Sequence, residues 1–302
     1  MSNICIINSG QDKAIQKYGV ATYSLLRPVN SLTKLVRSFA VRIKREYIRY
    51  FYKDHWLDEL APYDTLIVFD GMDTVGVCRN IYEKYPDKRL VLFYWNPIKK
   101  DILGDIPGAF ELWTFDYDDA QKYGMRYNGQ FVFEKELELK NFDTAYDLYF
   151  VGQNKGRFRY LERLKKEIED KTKLSVRYRL VSPIKALFSD KYSKRIPYKQ
   201  VLEETEKSRC VLEYNQKEQK GLTQRAIESL FLQKKLITNN SEISRKDFFN
   251  KKNIYILGDS MDGLDLFMSE SLEPYPQSVV ERYYFSNWLK RIESSQELND
   301  TK

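Results

Sequence analysis

The strongest constraint in this chain is an alternation. Short strand-like runs rich in apolar residues alternate with stretches of helical period. One set is Ile4–Ile7, Thr65–Phe69, 90–94, 112–115 and 130–133; a second is 147–151, 174–180, 210–214, Lys235–Thr238 and 254–257. Helical patterns over 75–85, 158–168, 198–207 and 221–232 separate them. A strand that is apolar on both faces is buried on both faces, which a parallel sheet between layers of helix provides. The expected class is therefore α/β, with two Rossmann-like doubly wound parallel-sheet domains. The acidic, charge-alternating stretch 134–141 separates the two sets. The expected domains are 1–140, 146–275, and a C-terminal amphipathic helix and tail at 276–302. In such folds ligands bind at the carboxyl ends of the strands.

The length of 302 residues matches two domains with room for full cores. With 42% apolar and 31% charged residues and only 22 Gly and Pro together, collagen-like and disordered readings fall away. No run approaches the apolar length of a membrane span. The opening Met1-Ser-Asn-Ile-Cys has no basic stretch of the kind that starts a signal peptide. Cys5, Cys78 and Cys210 are far apart and flanked by apolar residues, as in a reducing cytoplasm. His55 is the only histidine, and no metal site is expected.

The net charge of +7 is concentrated. Residues 34–53 carry Lys34, Arg37, Arg42, Lys44, Arg45, Arg49 and Lys53 against the single Glu46. At about 100° per residue, Leu35, Val36, Phe39, Ala40, Ile43, Tyr47, Tyr50 and Phe51 share one half of a helix and the cations the other. Val41 and Ile48 fall on the basic side. Such a helix suits the anionic inner face of a cell membrane, through Arg37, Arg42, Lys44, Arg45 and Arg49. A basic patch also suits nucleic acid, but no RNA-binding motif accompanies it, and nucleic acid is not an expected partner. A core-facing helix with a solvated basic back is the third reading.

Two segments carry phosphate chemistry. The first is Val151-Gly152-Gln153-Asn154-Lys155-Gly156-Arg157, a strand-to-helix turn whose glycines let backbone approach a ligand and whose cations suit a diphosphate. It matches neither the dinucleotide fingerprint nor the P-loop. The second runs from Gly221 through Thr223, Arg225 and Glu228 to Asn239. Thr223 suits a helix cap, Arg225 a bidentate phosphate contact and Glu228 a pair of vicinal hydroxyls. Arg225 and Glu228 also have the spacing of a surface ion pair. Asp116-Tyr-Asp118 matches a metal-binding Asp-x-Asp pattern but precedes a helix, so Asp116 is expected to cap it.

These strings resemble GT-B glycosyltransferases. Glu228-Ser-Leu followed by Lys235-Leu-Ile-Thr-Asn stands where the donor-site segment of that family has a Glu and a small residue on a helix and then a short strand. Val151-Gly-Gln-Asn-Lys-Gly-Arg, Leu212-Glu213, Gln219-Lys-Gly-Leu-Thr-Gln-Arg-Ala-Ile-Glu-Ser-Leu and Lys234-Lys-Leu-Ile-Thr-Asn-Asn are similar to bacterial lipopolysaccharide and capsular polysaccharide biosynthesis transferases. The resemblance covers 146–260 well and the first domain at the level of fold. It implies a GT-B fold whose C-terminal helix crosses back to the first domain, and a nucleotide sugar as donor substrate with no cofactor. It implies that Lys155 and Arg157 hold the donor diphosphate, Gly221 and Thr223 face the phosphates, and Glu228 takes the ribose. The implied reaction is sugar transfer to a surface polysaccharide or lipid-linked glycan, without a metal, on a cytoplasmic enzyme peripheral to the membrane. Many retaining members carry a Glu where this chain has Lys220; the nearest carboxylates are Glu218 and Glu213. An inverting reaction needs a general base from a strand end of the first domain. Asp70 and Asp73 are best placed, and Asp12 follows. The alternative function is a non-catalytic nucleotide- or glycan-binding protein of the same fold at the membrane surface.

Overall fold

The computed structural model describes residues 3–98, 100–136, 142–183, 185–215, 221–258 and 261–300. The chain divides into two units, Met1–Gly129 with Leu289–Glu297, and Gln130–Trp288 with the segment from Leu298 onward.

The first unit runs β1 (Ile4–Ile7), α1 (Asp12–Gln16), β2 (Ala21–Tyr23), α2 (Ser31–Ile43), a 3-10 stretch Arg45–Phe51, β3 (Thr65–Phe69), α3 (Thr74–Lys84), β4 (Arg89–Tyr94), β5 (Phe110–Thr114), α4 (Tyr117–Tyr123) and β6 (Arg126–Tyr127). The strands form one sheet in the order β2-β1-β3-β4-β5-β6, every pair parallel. All five residues of β3 are buried, as its uniform apolarity requires. Cys5, Ile7, Leu66, Val68, Leu90 and Leu92 point alternately from three neighbouring strands into one cluster.

The second unit runs β7 (Tyr146–Gln153), α5 (Phe158–Lys171), β8 (Val176–Val181), α6 (Tyr198–Glu206), β9 (Ser208–Glu213), α7 (Gln224–Phe231), β10 (Lys235–Thr238), β11 (Ile254–Ile256), α8 (Leu264–Ser269), α9 (Gln277–Val280) and α10 (Phe285–Ser294). Its sheet is β11-β10-β9-β7-β8, again all parallel. Both sheets therefore reverse direction next to their first strand, between β1 and β3 and between β7 and β9. Those are the switch points at which such sheets take ligands.

Three sequence expectations are corrected. Residues 130–133 do not form a strand: beyond one bridge between Val132 and Tyr284, they make no ladder. Phe131 and Phe133 are buried as an aromatic plug instead, with the Phe131 ring 5.1 Å from Phe285 and 4.8 Å from Trp288. The sheet closes with the two residues of β6. The strand β2 went unforeseen because its three half-buried residues carry no apolar run.

The third correction concerns 34–53, which is not one helix. Asn30 caps α2, accepting from Thr33 N at 2.8 Å, and the helix ends at Lys44, whose φ of −147° and ψ of 124° are extended. The 3-10 stretch then starts with a new phase. Ile48, on the basic side of a continuous helix, is buried for that reason. The apolar half of α2 does not face the core. Leu32 is 71% exposed, Leu35 61%, Phe39 66% and Ile43 65%.

The carboxyl half of α10 belongs with the first unit. There Arg89 pairs with Glu111 at 2.7 Å and also donates to the Ile292 carbonyl at 2.6 Å and Ser295 Oγ at 3.0 Å. One guanidinium thus caps the end of the helix and satisfies its last carbonyls.

Candidate functional site

A cavity of about 410 Å³ opens at the carboxyl ends of β7, β8 and β9. Lys155, Arg157, Arg195 and Arg225 line it, with Glu213 as the one carboxylate among the lining residues. The sequence-predicted Lys155, Arg157, Thr223 and Arg225 are all brought to it. Gly221 and Glu228 are not on its wall.

The turn after β7 shapes one side. Lys155 and Gly156 both take the left-handed region, at φ 39° and 82°, which turns the chain sharply before α5. Arg157 folds back over the Phe150 ring, 5.3 Å from its centroid, and donates to the Gln153 carbonyl at 2.7 Å and to the Tyr214 carbonyl. Gly152 makes room for it: a Cβ there lies 3.0 Å from Arg157 Nη2 and 3.1 Å from Phe150 Cζ. Burial lowers the pKa of Arg157, and burial together with the nearby Arg157 charge lowers that of Lys155. Both cations are held where an anion relieves them.

The end of β9 forms the floor. Glu213 is buried, and its two carboxylate oxygens accept from the hydroxyls of Thr223 and Thr238. Burial pushes its pKa up, and the hydroxyls oppose that. Thr223 is also the cap of α7, accepting from Arg225 N at 3.1 Å. One hydroxyl thus joins the strand end to the helix start. Asn239 clamps the next residues: its Oδ1 accepts from Asn215 N at 2.6 Å and its Nδ2 donates to the Asn215 carbonyl at 3.1 Å.

Arg225 pairs with Glu228 one turn along α7. The pair is not a surface pair: Glu228 is fully buried and Arg225 nearly so. Burial pushes the Glu228 carboxyl up to about 7, against the pull of the Arg225 guanidinium. Glu228 lies within the electrostatic reach of the buried Tyr198 hydroxyl.

Several buried polar atoms here meet no partner. On the cavity wall these are Arg157 Nε, Arg225 Nη1 and both side-chain atoms of Asn215. Buried polar atoms are almost always satisfied, so a concentration of exceptions marks a place prepared for something else. Sequence reasoning missed Asn215, Gln224 and Arg195. The position of Asn215, just past the central strand at the switch point, is the signal that points to it.

The first unit's switch point carries the three carboxylates. Asp70 accepts from Trp95 N and, at 2.9 Å, from Asn96 Nδ2, and burial pushes its pKa up. Asp73 is buried and clamped by Arg49, Nε to Oδ2 at 2.6 Å and Nη2 to Oδ1 at 2.8 Å. Arg49 is therefore tied inward rather than standing free among Arg37, Arg42, Lys44 and Arg45. Asp12 opens α1 and accepts from Ser9 Oγ at 3.1 Å. Asp116 caps α4, accepting from Asp118 N at 3.0 Å and Asp119 N at 3.3 Å. Lys220 and Glu218 lie outside the described residues.

In sequence, no protein-family model and no curated protein matches the chain. In structure it is similar to sucrose-phosphate synthase from Thermosynechococcus elongatus, at 8% identity and a TM-score of 0.57 over 98% of both chains. It is similar also to the DNA-modifying enzyme β-glucosyltransferase, whose substrate is uridine diphosphoglucose, at 14% identity and a TM-score of 0.51 over 98% of this chain and 99% of that one. A UDP-GlcNAc 2-epimerase from Methanocaldococcus jannaschii aligns more loosely, at 10% identity and a TM-score of 0.46 over 97% of this chain and 98% of that one. Two all-parallel α/β sheets with a returning C-terminal helix, aligned over their full length with two glycosyltransferases, give this chain the GT-B fold.

Proposed function

We propose that the chain is a nucleotide-sugar-dependent glycosyltransferase, with its donor in the cavity of the second unit. The observation that carries this is the cationic wall of that cavity, with buried donors on Arg157 and Arg225 that no protein group meets. A diphosphate offers acceptors to both of them. Lys155, Arg157 and Arg225 also neutralise the charge that develops on a departing nucleoside diphosphate, a role that side-chain cations fill without a metal. Glu228 acts through Arg225, holding it toward the cavity, in place of a direct contact with ribose. Of the three carboxylates in the first unit, Asp70 is the one we assign as base if the reaction inverts. Burial raises its proton affinity and its two hydrogen-bond donors, Trp95 N and Asn96 Nδ2, are neutral, whereas Asp73 is held on both oxygens by the charged Arg49 guanidinium.

We propose a surface polysaccharide or a lipid-linked glycan as the acceptor, a reading that rests only on the way the strings 151–157 and 219–230 resemble lipopolysaccharide and capsule transferases. The exposed apolar face of α2, flanked by Arg37, Arg42, Lys44 and Arg45, supports residence at the inner face of the cell membrane. Among the described residues no helix is long and apolar enough to cross a membrane.

A thermal-shift titration tests the donor site against UDP, GDP, dTDP, CMP and their sugar conjugates, with and without Mg²⁺. One nucleotide class stabilises the protein by about 2–4 kcal/mol at saturation, with or without the metal. No shift with any of them overturns the reading. Sedimentation with anionic and neutral vesicles tests the helix. Binding to the anionic vesicles alone, lost in Leu35→Asp/Phe39→Asp, is the expected result, and equal recovery of wild type and variant overturns it.

A further inference from the structure

The last residue of β9 and the two that follow it are fastened one after another. Glu213 is held by the Thr223 and Thr238 hydroxyls, the Tyr214 carbonyl by Arg157, and the backbone of Asn215 on both sides by the Asn239 amide. The Asn215 side chain is the exception. It lines the cavity, the residue is 4% exposed, and neither Oδ1 nor Nδ2 has a partner. Asn239 already occupies the Asn215 N–H and carbonyl, so those two groups are not open to the side chain.

The other unmet atoms on the wall, Arg157 Nε and Arg225 Nη1, are both donors. A diphosphate answers both. It does not answer Asn215, whose Oδ1 needs a donor. We propose that Asn215 is the specificity-determining residue of this cavity: its carboxamide takes a neutral part of the ligand that both donates and accepts hydrogen bonds, and so separates a nucleotide or nucleotide sugar from bare diphosphate. The shared chemistry is that of sugar hydroxyls and of the amide edge of a nucleobase. This inference rests on the anion-binding reading of the same cavity.

Calorimetric titration of wild type, Asn215→Ala and Asn215→Leu with inorganic pyrophosphate, UDP, GDP, UDP-glucose and GDP-mannose tests it. Wild type binds its nucleotide more tightly than pyrophosphate. In the variants, affinity for that nucleotide or nucleotide sugar falls about tenfold or more, and pyrophosphate stays within about twofold, which also shows that the cavity is intact. A loss already seen with the nucleoside diphosphate assigns the nucleoside portion; a loss only with the conjugate assigns the transferred sugar. Equal losses for all ligands, pyrophosphate included, overturn the proposal in favour of a structural role, and no loss for any overturns it outright. If wild type binds pyrophosphate yet favours no nucleotide over it, this inference fails while the anion site stands. If wild type binds none of them, both fail.

Discussion

The two units share a strand order, yet their switch points are furnished in opposite ways. Between β7 and β9 the strand ends carry cations around a cavity, and buried donors on Arg157 and Arg225 are left unanswered. Between β1 and β3 the corresponding region carries carboxylates, and each has a partner within its own unit: Asp70 with Trp95 and Asn96, Asp73 with Arg49, Asp12 with Ser9. Topology puts a binding place at both ends. Only the state of satisfaction of the side chains tells them apart. A buried group without a partner destabilises the free protein, by about 1–3 kcal/mol, and a ligand that supplies the missing partner recovers that energy as affinity. A carboxylate already paired holds no such reserve.

The sharpest way to break this comparison is at Arg157. It is half-buried, it is pinned by two carbonyls, and it stacks on Phe150. Arg157→Ala is expected to weaken nucleotide binding about a hundredfold or more. Arg157→Lys is expected to recover little, because an ammonium cannot span the Gln153 and Tyr214 carbonyls and still face a phosphate. Asp70→Asn leaves the same affinity within about twofold. Calorimetric titration of the three variants decides it: comparable losses in Asp70→Asn and Arg157→Ala erase the distinction between the two switch points.

The next largest effect is pH-dependent and belongs to Glu228. Its carboxyl titrates at about 7 in the folded chain against an ordinary 4.5, because burial disfavours the charge more than Arg225 favours it. A folded-state pKa above the unfolded one contributes stability that is full below pH 4.5 and is lost as the pH rises through about 7. Wild type should therefore lose up to about 3 kcal/mol between pH 4.5 and 8 that Glu228→Gln does not lose. Denaturant unfolding of both proteins across that range reads it directly. Parallel stability curves show that the ion pair compensates the burial in full.

Much of the fold was legible because continuous apolar runs leave little choice. Thr65–Phe69 and 90–94 are strands in the structure as in the sequence. What failed had no such signature. The run 130–133 has a strand's composition, but aromatic rings satisfy it by packing as a plug, and composition cannot separate the two. The break at Lys44 has no proline or glycine to mark it. It shows only in Ile48, which sat on the wrong side of a continuous helix. At the site, Lys155, Arg157, Thr223 and Arg225 were readable because glycines and helix starts flank them. Asn215 was not readable, since its importance lies in what it fails to bond, a property of the packed chain. Glu228 was found by its pattern, but its burial behind an ion pair depends on α6, where Tyr198 lies.

The smallest expected effect tests the other half of the comparison, the claim that the first unit's carboxylates are satisfied from within. Asp73 is buried and Arg49 half exposed, and their two hydrogen bonds are 2.6 and 2.8 Å long. Gly76 of α3 is part of the arrangement, since a Cβ there lies 2.6 Å from both Asp73 oxygens and from Arg49 Nη2. Solvent reaches Arg49, so the coupling in an Arg49→Met/Asp73→Asn double-mutant cycle is expected at only about 1 kcal/mol. The single substitutions should not be equal. Arg49→Met leaves a buried carboxylate without its cation, whereas Asp73→Asn leaves a guanidinium that water can serve, so the first is the more destabilising. Gly76→Ala pushes directly on the pair, and its effect should shrink once Arg49 is Met, because one of the atoms it strikes is then gone. Denaturant unfolding measures all of these, and a nucleotide titration of the same variants supplies the contrast with Arg157: unchanged affinity together with reduced stability marks a clamp that serves the first unit alone, while a coupled loss of affinity would make Asp73 part of the ligand's reach.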